Sequence, residues 1–139
     1  LIRDPHDNIV SRFHMDNRKA LKSHRKSYSN DPDGFQEWCS HLDEHFLQSN
    51  PSIFGKLPTD GVPCISEFFR YVQWHNNAFE TSRNLGVPAL IVHYEGYRDD
   101  PDGTLSDLLQ FLELPRVTDG EEFFAGNYAA YYSDEQRCK

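Results

Sequence analysis

Apolar residues recur at helical spacing in four segments of this chain and predict four helices. These cover 4–26, 35–47, 64–85 and 100–112, and turn-forming residues separate them over 27–34 and 50–62. The polar pair Asp16-Asn17 predicts a break in the first helix. Gly86 is expected to end the third helix as the residue after its cap. The third helix is the longest, and its apolar stripe predicts the side that is buried: Ile65, Phe68, Phe69, Val72, Ala78, Phe79 and Leu85.

Two shorter apolar runs predict strands. One is the opening 1–3, and the other is 88–94, which is nearly continuous in apolar side chains. Continuous apolar character is typical of parallel strands that helices cover on both faces. The order strand, helices, strand, helix therefore predicts an α/β fold with parallel strands flanked by helices.

Size and composition favour one domain. The chain has 139 residues, 37% of them hydrophobic and 14% aromatic. No run reaches the roughly 18 apolar residues of a membrane span. The sequence opens inside a predicted strand without a Met, so we expect it to be a piece of a longer protein.

The net charge is −8, but one stretch is basic. Its cations are opposed by Asp16 alone and comprise Arg12, Arg18, Lys19, Lys22, Arg25 and Lys26. An acidic protein with one basic stretch is a poor general nucleic-acid binder. The stretch is either a solvated helix face or a surface for small anions or an anionic sugar polymer.

Three cysteines leave two interpretations open. Cys39 and Cys64 could pair in an oxidising compartment, but free buried thiols are the favoured interpretation for an odd count without a CxxC pair. A zinc site is a further alternative, because His41 and His45 share a helix face and the two cysteines could add ligands. The preferred interpretation includes no metal.

The opening run carries the most specific chemistry. Asp4-Pro5 is a helix start, with Asp4 as the cap and Pro5 at the first helical position. Asp7 lies in the first turn, and Ser11 lies about two turns after Asp4. An arginine at a strand's carboxyl end, Arg3, and a hydroxyl on the following helix can bind one phosphate together.

This run resembles the 3′-phosphate-binding motif of sulfotransferases, which use 3′-phosphoadenosine 5′-phosphosulfate (PAPS). The family pattern is an apolar strand, Arg-Asn/Asp-Pro-x-Asp, and a Ser eight residues after the Arg. A second marker, the family's Tyr-Glu-Asp followed by a helix ending in Phe-Leu, is similar to Tyr94-Glu95-Gly96 and Phe111-Leu112. The resemblance implies that Arg3 and Ser11 bind the 3′-phosphate and that Tyr94 lies beside the adenine. Glu95 is interpreted as structural.

The tail 126–136 resembles the family's closing segment, with one departure. Many members carry Arg-Lys-Gly just upstream, on the 3′-phosphate, where this chain has Glu121-Glu122-Phe123. Two acids would repel a phosphate, so another cation, for example from the basic stretch, is expected to take over, or cofactor binding is weaker. The middle helix resembles the family's Trp-containing helix, in a form similar to that of algal and protist sulfotransferase-like proteins. Its Trp74 is predicted to lie in the core. His75 and Asn76 either face the acceptor or belong to a packed polar face.

The resemblance implies that residues 1–139 are the C-terminal portion of a single sulfotransferase-like domain. Its fold is then part of a P-loop-type three-layer fold whose first strand–P-loop–helix unit is absent. The catalytic base and the loop for the 5′-phosphosulfate are expected upstream of Leu1, so this chain alone is expected to be inactive. The implied reaction is sulfuryl transfer from PAPS to a hydroxyl or amine, with a carbohydrate as a candidate acceptor. The implied compartment is the Golgi lumen, with a membrane-anchored parent, or the cytoplasm.

Two other classes remain as alternatives. One is a non-catalytic module that reuses the fold to bind an anionic glycan or a protein. The other is a relative of the P-loop kinases, which the Arg3-to-Ser11 spacing and the Tyr94-Glu95 pair disfavour.

Overall fold

The computed structural model describes residues 1–23, 26–54, 61–117, 126 and 128–138. The chain divides into two compact units. Unit 1 comprises Leu1–Asp4 and Ala78–Asn127, and unit 2 comprises Pro5–Asn77 and Tyr128–Lys139. That 1–139 is the C-terminal portion of one domain stays a prediction.

Helices dominate the described residues. They are α1 (Pro5–Lys22), α2 (Pro32–Ser49), α3 (Pro51–Phe54), α4 (Ile65–Leu85), α5 (Gly96–Asp99), α6 (Pro101–Phe111) and α7 (Asp134–Arg137), with a 3₁₀ turn over Ala129–Tyr131. None of these helices combines the length and the apolar character needed to cross a membrane.

The predicted α/β fold with parallel strands is wrong for this structure. The described part of the chain contains no strand or sheet. The predicted P-loop-type three-layer arrangement, which requires a sheet, is therefore wrong as well. The two predicted strands meet only in an isolated parallel bridge between Ile2 and His93. Within the second run, Ile91 is 49% exposed and Pro88, Ala89 and His93 are also exposed, whereas a parallel strand is covered on both faces. An apolar run forms a strand only where a neighbouring segment pairs with it over several residues, and here the two runs pair at one residue each.

The first helix confirms its predicted start and corrects its predicted interior. α1 begins at Pro5 and runs unbroken through Asp16-Asn17 to Lys22. Asn17 is buried, and its amide both donates to the Tyr28 carbonyl and accepts from the Tyr28 N–H, each at 2.8 Å. The polar side chain that suggested a break instead binds the chain that follows the helix.

The second helix begins three residues before its predicted start. Asp31 caps it, accepting the Gly34 N–H at 2.8 Å, and Pro32 is its first residue. The Gly34 backbone packs so closely on Ser29 that a Cβ would overlap the Ser29 carbonyl. Residues typical of a turn therefore form the N-terminus of a helix.

Two other predicted helix boundaries are confirmed. Gly86 has φ 63°, with hydrogen bonds from Gly86 to Arg83 and from Val87 to Ser82, as in a Schellman cap. Asp100 caps α6 through the Gly103 N–H at 3.0 Å.

The predicted apolar stripe of α4 is covered only at the start of the helix, where Ile65 and Phe69 are half-buried and Phe68 packs against the core. The fully buried residues of α4 are Ser66 and Glu67, while Val72, Phe79 and Leu85 of the stripe are exposed. Trp74, predicted as core, is 63% exposed.

The core lies in unit 2. It contains Ile9, Val10 and Phe13 of α1 and Phe35, Trp38 and Cys39 of α2, together with Cys64 and Tyr132. Rings of Phe13, Phe35 and Trp38 meet with centroids 5.6–6.1 Å apart. By contrast, no described residue of unit 1 is buried.

A disulfide joins Cys39 to Cys64, so the expectation of free thiols there is wrong. Both cysteines are almost fully buried, whereas Cys138 is free and exposed. Cys64 has φ 65°, a left-handed conformation that residues with a side chain rarely adopt. The bond therefore links α2 to a constrained residue just before α4.

Replacing both bonded cysteines with serine should lower the free energy of unfolding by about 3 kcal/mol, because the bond closes a 25-residue separation in the unfolded chain. Urea titration of C39S/C64S against the parent measures this loss. C138S is the control, since Cys138 forms no disulfide. An unchanged midpoint for C39S/C64S would contradict a stabilising bond.

Stability should also depend on the charge of Asp31. The Gly34 N–H, and then the Ser29 hydroxyl, lower the pKa of Asp31 below its ordinary value. The unfolded state thus binds more protons, so this stabilisation is present above the unfolded pKa of about 3.9 and is lost as pH falls through the folded pKa.

The D31N variant keeps a capping side chain that does not titrate. Between about pH 5 and about pH 2.5, its urea midpoint should fall less steeply than that of the parent. Equal slopes for D31N and the parent would contradict the prediction.

Candidate cofactor-binding site

The backbone of unit 1 brings Arg3 and Tyr94 together. The Ile2 N–H donates to the Val92 carbonyl at 2.8 Å, and the Tyr94 N–H donates to the Ile2 carbonyl at 2.7 Å. The Arg3 guanidinium carbon lies 4.3 Å from the centroid of the Tyr94 ring, and both residues are half-buried. Two residues predicted separately to bind one cofactor are thus in direct contact.

The next residue along, Glu95, has the structural role predicted for it. Its Oε1 accepts the backbone N–H of Asp4 at 2.9 Å. Tyr94 therefore contacts Arg3 through its ring face, and Glu95 binds the backbone of Asp4 through its carboxylate.

Gly96 stands where the resembling motif has Asp, and the packing explains the glycine. A Cβ at this position would lie 2.7 Å from Oγ1 of Thr104. Because α5 begins at Gly96 and α6 carries Thr104, a side chain at 96 would displace that hydroxyl.

Ser11 belongs to unit 2, whereas Arg3 and Tyr94 belong to unit 1. It lies half-buried in α1, on a face other than that of the buried Ile9, Val10 and Phe13. Helical spacing places Arg18 on the same side as Ser11. That Arg3 and Ser11 bind one phosphate stays a prediction.

The basic stretch is partly neutralised. Nε of Arg12 lies 3.1 Å from Oε2 of Glu67, and Nζ of Lys26 lies 3.0 Å from Oε1 of Glu37. The Glu37 carboxylate, and then Tyr28, raise the pKa of Lys26. Arg18, Lys19 and Lys22 remain as exposed cations of α1. Arg25 lies outside the described residues.

Sequence reasoning missed the buried carboxylate of Glu67. Its side chain is 1% exposed and lies between two arginines, Arg12 and Arg70, at 3.1 and 3.0 Å. Arg12 directly follows Ser11, so this cluster fixes the part of α1 that carries the predicted phosphate ligand. The available signal was an acid three residues before an arginine on one predicted helix, Glu67 and Arg70.

A second ion pair joins α1 to the end of the chain. Nη2 of Arg137 lies 3.1 Å from Oδ1 of Asp7. The helix that carries Arg137, α7, starts with a capping box formed by Ser133 and Gln136. Asp7, predicted as a favourable acid of the first turn, therefore also binds a cation.

His75 and Asn76, the two residues considered for the acceptor site, lie on α4. Nδ1 of His75 donates to the Tyr71 carbonyl at 2.8 Å, and its ring packs against Tyr71 and Trp74. His75 is thus held by its own helix, as its polar-face interpretation expects.

The zinc alternative loses two of its ligands. Cys39 and Cys64 are bonded to each other, and no group of three His, Cys, Asp or Glu side chains in the described ranges could hold a metal. His41 instead borders a cavity of about 300 Å³ in unit 2, together with Asp16, Lys19, Lys26, Tyr28 and Trp38.

Comparison with known proteins gives one match. The family model of the sulfotransferase domain matches residues 1–123, which include Arg3, Ser11 and Tyr94. No curated protein matches the chain. No solved structure matches it either. The departure at Glu121-Glu122-Phe123 lies outside the described residues.

Removing the charge of Glu67 should destabilise unit 2. In E67Q, Arg12 and Arg70 lose the carboxylate between them, and the expected cost is about 2 kcal/mol, because both arginines stay partly hydrated. Urea titration gives the value. E37Q removes the charge of an exposed pair and should change little. Equal effects for the two variants would contradict a special role for the buried cluster.

Proposed function

Because this chain belongs to the sulfotransferase domain family, we propose that it binds PAPS and takes part in sulfuryl transfer to a hydroxyl or amine acceptor. The match over 1–123 carries the proposal. The exposed cations Arg18, Lys19 and Lys22 favour an anionic carbohydrate among acceptors.

The residues present fit the 3′-phosphate part of this cofactor. Arg3 offers a planar cation whose donors suit two phosphate oxygens, and its guanidinium carbon already lies over the Tyr94 ring, 4.3 Å from the centroid. Ser11 offers a hydroxyl donor from the non-core side of α1. We propose that Arg3 and Ser11 bind the 3′-phosphate and that Tyr94 belongs to the same site.

When bound, PAPS supplies an activated sulfuryl group that leaves its 5′-phosphate as the bond to the acceptor forms. Arg3 and Ser11 would act at the other end of the nucleotide, remote from the reacting sulfur. Binding energy from such a remote group can be used to hold the reacting atoms in line. The same contacts would select a nucleotide with a 3′-phosphate over one without it.

Calorimetric titration tests the proposal with the product nucleotide, 3′-phosphoadenosine 5′-phosphate, and with adenosine 5′-phosphate lacking the 3′-phosphate. The chain should prefer the bisphosphate. R3A should weaken bisphosphate binding about 30-fold or more, because a phosphate loses a charged donor, and S11A about fivefold.

R98A is the matched control, since Arg98 is an exposed arginine of unit 1 paired with Asp99. It should bind like the parent. A parent that does not distinguish the two nucleotides would overturn the proposal. Bisphosphate binding that R3A and R98A weaken equally would overturn the role of Arg3.

A further inference from the structure

The contact between Arg3 and Tyr94 has a fixed register. The Ile2 backbone binds Val92 and Tyr94 through two hydrogen bonds of 2.8 and 2.7 Å, which set residue 3 beside residue 94. Glu95 then binds the Asp4 N–H at 2.9 Å. The arginine thus lies between two backbone attachments, and its side chain extends from a constrained segment.

The Tyr94 ring uses one face for the guanidinium. The guanidinium carbon lies over the ring, 4.3 Å from its centroid, so the ring shields part of the cation. The N–H donors of a guanidinium lie in its plane, and those that the ring leaves open can bind phosphate oxygens. Contact with the ring also limits the rotamers of a long side chain, so less freedom is lost when a ligand binds.

We propose that Tyr94 is a positioning residue for Arg3: its ring orients the guanidinium toward the 3′-phosphate, and its main contribution is to phosphate selection rather than to recognition of the base. This inference rests on the proposed function. It changes the role that the resemblance implies for Tyr94, which is a contact with adenine.

Three nucleotides separate these roles in calorimetric titrations: adenosine 3′,5′-bisphosphate, guanosine 3′,5′-bisphosphate and adenosine 5′-phosphate. Y94L should weaken both bisphosphates by the same factor, about fivefold, and leave the monophosphate unchanged. Y94F keeps the ring and should bind within about twofold of the parent. Y97L, a tyrosine replacement on α5 in the same unit, is the control and should bind like the parent.

A double-mutant cycle tests whether Tyr94 acts through Arg3. In the R3A background, Y94L should cause no further loss of bisphosphate binding, because the group that it orients is absent. Circular dichroism checks that each variant is folded. Y94Q, which also lacks the aromatic face, replaces Y94L if that variant is unfolded.

Two results would overturn the inference while the proposed function stands. One is a change in the ratio of adenosine to guanosine bisphosphate affinity in Y94L with the 3′-phosphate preference kept. The other is a full effect of Y94L in the R3A background. Failure of the proposed function is distinguishable, because it appears in the parent as equal affinity for adenosine bisphosphate and monophosphate.

Discussion

The bond between Cys39 and Cys64 is the constraint on which the described arrangement of unit 2 depends. Four residues after Cys39, Asp43 accepts the Ile65 and Ser66 N–H groups at 3.2 and 2.9 Å. Helix α2 therefore holds the start of α4 twice, once covalently and once through hydrogen bonds to its first free donors. A helix start held in this way has little freedom to rotate or slide.

That start determines where Glu67 lies. Glu67 directly follows the bonded N–H groups of Ile65 and Ser66, and its carboxylate is buried next to Arg12, the neighbour of Ser11. A buried acid is stable only when cations and donors surround it, so the arginine side chain has to come to the glutamate. The orientation of α1 thus follows from the start of α4 as well as from the packing of Phe13.

Unit 1 uses a different principle. Its segments are joined by two backbone hydrogen bonds, one ring–guanidinium contact and one carboxylate, and none of its described residues is buried. Local, directional contacts replace apolar burial there. Such contacts specify where side chains lie even where they contribute modestly to stability.

Local chemistry decided which features the sequence could predict. Caps and stops at Pro5, Gly86 and Asp100 depend on neighbouring residues, and each was predicted correctly. The prediction of two strands was wrong because strand pairing depends on distant segments, and an apolar run carries no information about its partner. The motif spacing identified Arg3 and Tyr94 separately, but their contact depends on the Ile2 register. Glu67 was missed because its burial depends on Arg12, 55 positions earlier.

The burial of both bonded sulfurs also sets an order of events in biosynthesis. Once Phe35, Trp38 and Tyr132 have packed, neither sulfur is open to an oxidant. The two thiols must therefore be oxidised while the chain is still open, and the core closes afterwards. A chain made under reducing conditions would close over two unpaired thiols, with Cys64 still required to adopt its left-handed backbone. The yield of correctly folded protein is then governed by the redox potential during synthesis as much as by the sequence.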